Sequence, residues 1–322
     1  MGLFELVGVA VVLYFVVSLI LWIICDCNIQ LAFKEKFGHP VSALRGKVVW
    51  VTGASSGIGK DLALALAEHG VRLVLSARRQ PELEDVKKKA LERSNGLLAK
   101  DDILVLPMDM LNLEKHQQLF DEVIKHFGKL DILVNNAGRS QRAIWEEIDI
   151  QVDRDLFELD VFSVIHLSRI AVRYFKTTGG KGHLAVTSSG AGLVPIPFSP
   201  SYSGAKFALH GYFGSLKVEH PELDITVFCP GPIATSFLEE AFTNSPDKKH
   251  GIPISANDKR RMTSERCGEL FAIALANKVL LTWCGLFPVN VLIYLSLYYP
   301  SIAILILKAM GSKGMKKIRE GR

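Results

Sequence analysis

Val48-Val49-Trp50-Val51 runs directly into Thr52-Gly53-Ala54-Ser55-Ser56-Gly57-Ile58-Gly59, and then into a stretch where Leu62, Ala63, Leu66 and Ala67 recur at helical spacing. A buried strand, a glycine-rich turn and a helix in that order restrict the fold more than any other stretch of the chain. Glycine lets the backbone turn sharply and come close to a pyrophosphate, and a helix N-terminus presents unpaired N–H groups to an anion. The pattern is that of a dinucleotide-binding turn, and its meaning depends on the residues downstream of it.

Beyond that turn, strand and helix alternate, which predicts an α/β fold with one doubly wound parallel sheet of about seven strands, of Rossmann type. Strands are predicted at residues 48–51, 71–76, 103–108, 131–134, 183–187 and 225–228. Helices are predicted at about 81–93, 113–127, 152–175 and 201–220, the last stopped by Pro221. With no internal repeat and no low-complexity linker, residues 46–283 read as one catalytic domain. Residues 28–45 read as a linker.

The two ends are apolar. Residues 6–25 form an uncharged run of about the 20 residues that cross a bilayer as a helix. A cleaved leader would have a basic start, a shorter core and a small-residue cleavage site, so residues 1–27 are read as an uncleaved anchor. A buried core helix is disfavoured because the run has no polar face. Lys34, Lys36 and Arg45 on its C-terminal side favour a cytosolic domain, with Asp26 and Glu35 among them reducing the excess. Residues 286–307 are again uncharged but contain Pro288 and Pro300, with Tyr294, Tyr298 and Tyr299 as boundary residues. Three readings of the 284–322 extension stand: a second span, two apolar pieces lying at a membrane interface, or a helix packed on the domain. Its basic end, Lys308, Lys313, Lys316, Lys317, Arg319 and Arg322, favours anionic lipid head groups.

Other classes are excluded by composition. A net charge of +5 with no basic stripe argues against nucleic acid. Five scattered cysteines are not a disulfide framework, and no His, Cys or Glu cluster has metal-ligand spacing, so no metal site is expected.

Thr52-Gly53-x-x-x-Gly57-x-Gly59, Asn135-Asn136-Ala137-Gly138, Ser189 and Tyr202-x-x-x-Lys206 occur in that order, with thirteen positions from Ser189 to Tyr202. Across residues 46–283 this set resembles the motif set of the short-chain dehydrogenase/reductase family. Within that family the chain looks closest to the membrane-anchored dehydrogenase/reductase SDR family member 7 group, through segments such as Ser140-Gln141-Arg142 and Met262-Thr263-Ser264-Glu265-Arg266-Cys267. Each motif alone is common; Tyr-x-x-x-Lys by itself describes neighbours on a solvated helix just as well.

Hydride transfer to a carbonyl needs a proton donor at oxygen, and the reverse reaction needs a base. A phenol with a reference pKa of about 10 is a poor base near neutrality. Lys206, one helical turn beyond Tyr202, is placed to stabilise the phenolate and lower that pKa. The resemblance gives Lys206 a second role on the nicotinamide ribose and has Ser189 hold the substrate oxygen. It also implies a fourth catalytic position, usually Asn, in the helix after the fourth strand. Here that position is Asp160, which could offer its backbone carbonyl to a relay water, act as an acidic relay member, or weaken the relay.

After the second strand the chain reads Leu75-Ser76-Ala77-Arg78-Arg79, with no carboxylate for a ribose hydroxyl and a guanidinium suited to a phosphate, so NADP(H) is the expected cofactor. The resemblance implies cofactor contacts from Thr52, Gly53, Ser55, Ser56, Gly57, Ile58 and Gly59. It also implies Asp109 at the adenine edge, Asn136 on the nicotinamide side, and Pro232, Ile233 and Thr235 at the carboxamide. Residues 236–261 are polar and irregular, where family members carry a mobile substrate-covering loop. Together these predict an NADP(H)-dependent oxidoreductase interconverting carbonyl and hydroxyl groups of a lipophilic substrate such as a steroid or retinoid. By resemblance it would sit in the endoplasmic reticulum membrane and pair as a homodimer through the helices at 152–175 and 201–220, and the abundance of NADPH would favour work as a reductase. The rival is a catalytically weak cofactor-binding membrane scaffold.

Overall fold

Apolar runs become strands because both their faces are covered. In a computed structural model that describes residues 2–253 and 258–306 together with residues 308, 309 and 311, helices flank a central sheet on both sides. The elements in chain order are α1 (Leu3–Ile24), α2 (Ile29–Phe37), β1 (Val48–Thr52), α3 (Gly57–Ala67), β2 (Arg72–Ser76), α4 (Gln80–Arg93), β3 (Ile103–Val105), α5 (His116–Phe127) and β4 (Ile132–Asn135). Then come α6 (Ile150–Phe157), α7 (Ser163–Thr177), β5 (His183–Thr187), α8 (Pro200–Glu219), β6 (Asp224–Pro230), β7 (Ile233–Ala234), β8 (Met262–Thr263), α9 (Ser264–Ala276), β9 (Leu281–Cys284) and α10 (Val289–Tyr298). The main sheet has seven strands in the order β3-β2-β1-β4-β5-β6-β9, all parallel. Sequence order reverses between β1 and β4, and in such sheets the ligand crevice opens at that point, beyond the carboxyl ends of the strands.

β1 shows why the period-2 rule sorts the core. Val49 and Val51 join the apolar layer with α3 and α9, while Val48 and Trp50 join the opposite layer with α5 and α7. Every β1 residue is buried, and the one polar atom of the indole is satisfied by Ser76, 2.8 Å away.

Three segments differ from the expectations of sequence. The third strand ends at Val105 rather than 108, because Pro107 has no N–H for the ladder; Leu106 and Met108 still donate to the carbonyls of Leu75 and Ala77. The helix expected over 152–175 is interrupted by a π-helical turn, Glu158–Phe162, which carries Asp160. Residues 28–45 hold α2, started by the Asn28 side chain accepting from the Leu31 N–H and packed through the buried Leu31.

Both ends are tied to one place. Phe4–Ile24 is long and apolar enough to cross a membrane, with a mean hydropathy of 2.8 and none of it buried. Its C-terminal end meets α10. The Asn290 amide donates to the carbonyls of Trp22, Cys25 and Cys27 while accepting from the Trp283 indole, and Trp22 stacks on Tyr294 at 4.5 Å. Arg266 closes the other side, with ion pairs to Asp26 at 2.8 Å and Glu35 at 2.7 Å. In the C-terminal extension α10 ends at Tyr298 and packs on the domain, and helix resumes over residues 300–306. Lys313, Lys316, Lys317, Arg319 and Arg322 lie outside the described residues.

Candidate active site

A cleft of about 1350 Å³ opens over the β1–β4 switch point. That exceeds the roughly 300–1,000 Å³ of an ordinary ligand pocket and leaves room for more than one molecule. One end is the glycine turn. Gly53 and Gly57 sit at φ +66° and +55°, in the left-handed region that excludes most side chains, and a Cβ on Gly53 would come 2.9 Å from the Ala137 backbone. A Cβ on Gly59 would run into the Asn136 amide and the Gly53 carbonyl. The turn is therefore a cradle that only bare backbone can form, closed by the start of α3, and it fits a dinucleotide pyrophosphate. Thr52, Gly53, Ser55, Ser56, Gly57 and Ile58 line the cleft, and Gly59 lies behind it.

Arg78 and Asp109 both line this end and are both exposed. Asp109 accepts from the Leu111 N–H at 3.1 Å, which fixes its loop. Arg79, which sequence does not single out, lines the cleft too and reaches the Ser55 hydroxyl at 3.4 Å. Asn136 lines the cleft, but its amide is fully engaged within the protein. It donates to the carbonyls of Thr52 and Gly53 and accepts from Thr187, so it clamps the ends of β1, β4 and β5 together. Pro232, Ile233 and Thr235 line the far wall, with the Thr235 methyl 3.2 Å from where a Cβ on Gly57 would stand.

At the other end Ser189, Tyr202 and Lys206 converge. Ser189 follows β5, and its hydroxyl accepts from the Ala191 N–H at 3.1 Å and reaches the Pro230 carbonyl at 3.5 Å. Tyr202 and Lys206 are one turn apart on α8, with the ammonium 5.6 Å from the phenol ring centre. Lys206 is buried and donates to the Thr187 carbonyl at 3.2 Å. Its second partner is Asp160, fully buried, whose Oδ2 lies 3.0 Å from Nζ as an ion pair out of hydrogen-bond alignment. The other carboxylate oxygen accepts from the Arg139 N–H at 2.8 Å. Asp160 itself does not line the cleft; it stands behind Lys206.

The electrostatics correct one expectation. Burial lifts the Tyr202 phenol, Lys206 and Ser189 pull it down, and Asp160 lifts it again, so the net shift is upward rather than downward. Burial works against the Lys206 cation, but Asp160 and Tyr202 outweigh it and hold its pKa above the ordinary lysine value. Burial pushes the Asp160 carboxyl up against the pull of Lys206.

The apolar part of the cleft is the least visible from sequence. Val289, Leu292, Ile293 and Ser296 of α10 line it, and Ile293 reaches within 3.5 Å of where a Cβ on Gly190, next to Ser189, would stand. Leu159, Val194, Phe237 and Phe242 add to the wall. The irregular segment after Thr235 is pinned at Phe242, which exchanges backbone bonds with Ser140 and Arg142, while Arg139 lies 4.5 Å over its ring. Residues 254–257 of that segment lie outside the described residues. The hydrophobic spacing of α10 is legible, but nothing local says that it closes a cleft built from residues a hundred positions earlier.

Residues 47–246 match the family model described as short chain dehydrogenase. Over 323 aligned residues the chain is 35% identical to "Dehydrogenase/reductase SDR family member 7" of Homo sapiens, covering 99% of this chain and 94% of that one. It is 34% identical to "Dehydrogenase/reductase SDR family protein 7-like" of Dictyostelium discoideum, covering 82% of each. "11-beta-hydroxysteroid dehydrogenase-like 2" of Arabidopsis thaliana is 36% identical over 61% of this chain and 62% of its own. Among solved structures, an alcohol dehydrogenase from the archaeon Thermococcus sibiricus complexed with 5-hydroxy-NADP shares the fold, with a TM-score of 0.65 at 24% identity over 75% of this chain and 97% of that one.

Proposed function

The chain belongs to the short-chain dehydrogenase family, and on that basis we propose that it is an NADP(H)-dependent, membrane-anchored reductase of lipophilic ketones or aldehydes, steroids and retinoids being the nearest chemical classes. The observation that carries the reading is the meeting of Ser189, Tyr202 and Lys206 at one end of a cleft whose other end is the glycine cradle. Arg78 and the absence of a carboxylate after β2 support a 2′-phosphate over a free ribose hydroxyl. Names given to relatives, 11-beta-hydroxysteroid dehydrogenase-like among them, support the substrate class.

When bound, the nicotinamide supplies the hydride. The chain's own residues manage the proton. The substrate oxygen lies between the Ser189 hydroxyl and the Tyr202 phenol; Ser189 holds it, and Tyr202 gives up its proton as the oxygen becomes an alkoxide. Lys206 stabilises the phenolate that is left. A phenol whose pKa is held up by burial stays protonated at neutral pH, the form that donates the proton in carbonyl reduction. Asp160 is the fourth member, a positioning residue that fixes the Lys206 head group from behind.

The apolar α1 supports anchoring, with the endoplasmic reticulum as the membrane proposed. Exposed Phe162 and Phe207, one just before α7 and one on α8, together with Tyr212 on α8, support pairing of two copies through these helices.

The test is detergent-solubilised full-length protein with NADPH and a panel of apolar ketones and aldehydes, alongside Tyr202→Phe. Consumption of NADPH that disappears in the variant is expected. One observation favours a second reading: the carboxylate at 160 takes up the charge of Lys206, as it would in a cofactor-binding scaffold with little turnover. NADPH binding with no consumption across the panel would give that reading the ground.

A further inference from the structure

Most cations that line the cleft are already engaged. Arg79 pairs with Glu82 at 3.4 Å, Lys206 with Asp160 at 3.0 Å, Lys249 with Glu240 at 2.7 Å and Arg261 with Asp258 at 3.4 Å. Arg142 faces the catalytic end, where its charge pulls on the Tyr202 phenol. Arg78 and Arg139 are left. Both line the cleft, and among the described residues neither guanidinium has an ion pair or a hydrogen bond.

The two come near each other from different strands, Arg78 following β2 and Arg139 following β4. Burial and the positive charge of Arg78 lower the Arg139 pKa, against the pull of Glu240, Asp160 and Asp155. Arg139 is half-buried and held at both ends. Its N–H donates to the Asp160 carboxylate at 2.8 Å, and its guanidinium lies 4.5 Å over the Phe242 ring. Glu240 acts on both guanidiniums, but it is exposed and its close partner is Lys249. Like charges brought together in a cleft repel, and a stronger anion between them relieves the repulsion.

The cofactor offers two phosphate groups. The pyrophosphate already has the glycine cradle and the start of α3. The 2′-phosphate is a monoester with about two negative charges near neutrality and several oxygens, enough for two planar guanidinium forks. Arg78 supplies one of them.

We propose that Arg139 is the second cation of the 2′-phosphate site, meeting the phosphate from the β4 side as Arg78 does from the β2 side, so that both residues set the preference for NADP(H) over NAD(H). The assignment rests on the NADP(H) reading of the cofactor and is independent of the substrate. It also ties the two ends of the cleft together, because the guanidinium that reads the phosphate is stacked on Phe242, part of the apolar wall.

Titration calorimetry of NADP+ and NAD+ on detergent-solubilised full-length protein tests it without turnover. Arg139→Met removes the charge and keeps an apolar stem over Phe242. Its Kd for NADP+ is expected to rise about tenfold or more, while that for NAD+ changes less than about twofold, which also shows the cleft intact. Arg139→Lys keeps a charge without the planar fork, and its Kd for NADP+ should fall between those of wild type and Arg139→Met. Equal weakening of both dinucleotides would move Arg139 to the pyrophosphate and overturn the proposal. NADP+ binding unchanged in Arg139→Met but lost in Arg78→Ala would also overturn it, leaving the cofactor reading on Arg78 alone. Wild type that binds NADP+ no more tightly than NAD+ would sink both.

Discussion

The Lys206 ammonium lies 3.0 Å from the Asp160 carboxylate, and both side chains are buried. The cation that should acidify Tyr202 thus shares its charge with an anion, and Asp160 raises the phenol pKa where Lys206 lowers it. In Asp160→Asn the negative charge is gone, Lys206 acts alone, and the phenol pKa falls. The acid limb of kcat/KM for alcohol oxidation should move to lower pH by about one unit. A pH profile unmoved by the substitution would remove Asp160 from the proton chemistry.

Cofactor choice should depend on Arg78. A charge-assisted hydrogen bond to phosphate contributes about 1.5–3 kcal/mol, so Arg78→Ala should raise KM for NADPH by about ten- to a hundredfold and leave that for NADH little changed. Arg79, already engaged with Glu82 at 3.4 Å, should matter less. Initial rates with each cofactor across both variants check the order.

Asn290→Ala should loosen the joint between α1 and the domain. Three carbonyls and an indole N–H lose their partner, two of these bonds buried and two partly buried, at a cost of about 2–4 kcal/mol. Arg266→Met removes shorter contacts, but its side chain is 30% exposed and its ion pairs are screened, so about 1 kcal/mol is expected. Thermal unfolding in detergent should place Asn290→Ala well below Arg266→Met.

Acid should weaken the fold before the carboxylates titrate. Burial and the neighbouring His166 lower the His116 pKa from 6.5 to about 4. Between those values the unfolded chain takes up a proton that the native state refuses, so stability is full above about pH 6.5 and falls as pH drops toward 4. His116 alone accounts for at most about 3 kcal/mol, and His116→Gln should flatten that part of the curve. His183, also held at about 4, remains in the variant and keeps its own share of the fall. Unfolding midpoints measured from pH 7 to 4, in wild type and variant, decide it.

How much of this is legible in advance depends on the range of each interaction. Val48–Thr52 and His183–Thr187 are apolar runs whose neighbours in sequence already define them, and both appear as strands. Tyr202 and Lys206 are tied by one helical turn, so their proximity needs no tertiary contact. The π-turn at Glu158–Phe162 leaves no mark in hydrophobic spacing, and it decides that Asp160 sits behind Lys206. The motif around Asn136 points toward the cofactor; that its amide is spent on Thr52, Gly53 and Thr187 appears only when three strand ends meet.

The alternating strands and helices, the glycine cradle, the α8 pair and the apolar character of both ends are all written in residues a few positions apart, and reading the chain is enough to find them. Tertiary packing was needed to join the two ends through Asn290 and Tyr294, to make α10 a wall of the cleft, and to set a carboxylate against the lysine. Those outcomes depend on segments as much as 268 residues apart in the chain being brought within bonding distance. Which distant partners meet follows from how the sheet and its helices pack, and local pattern carries no record of that.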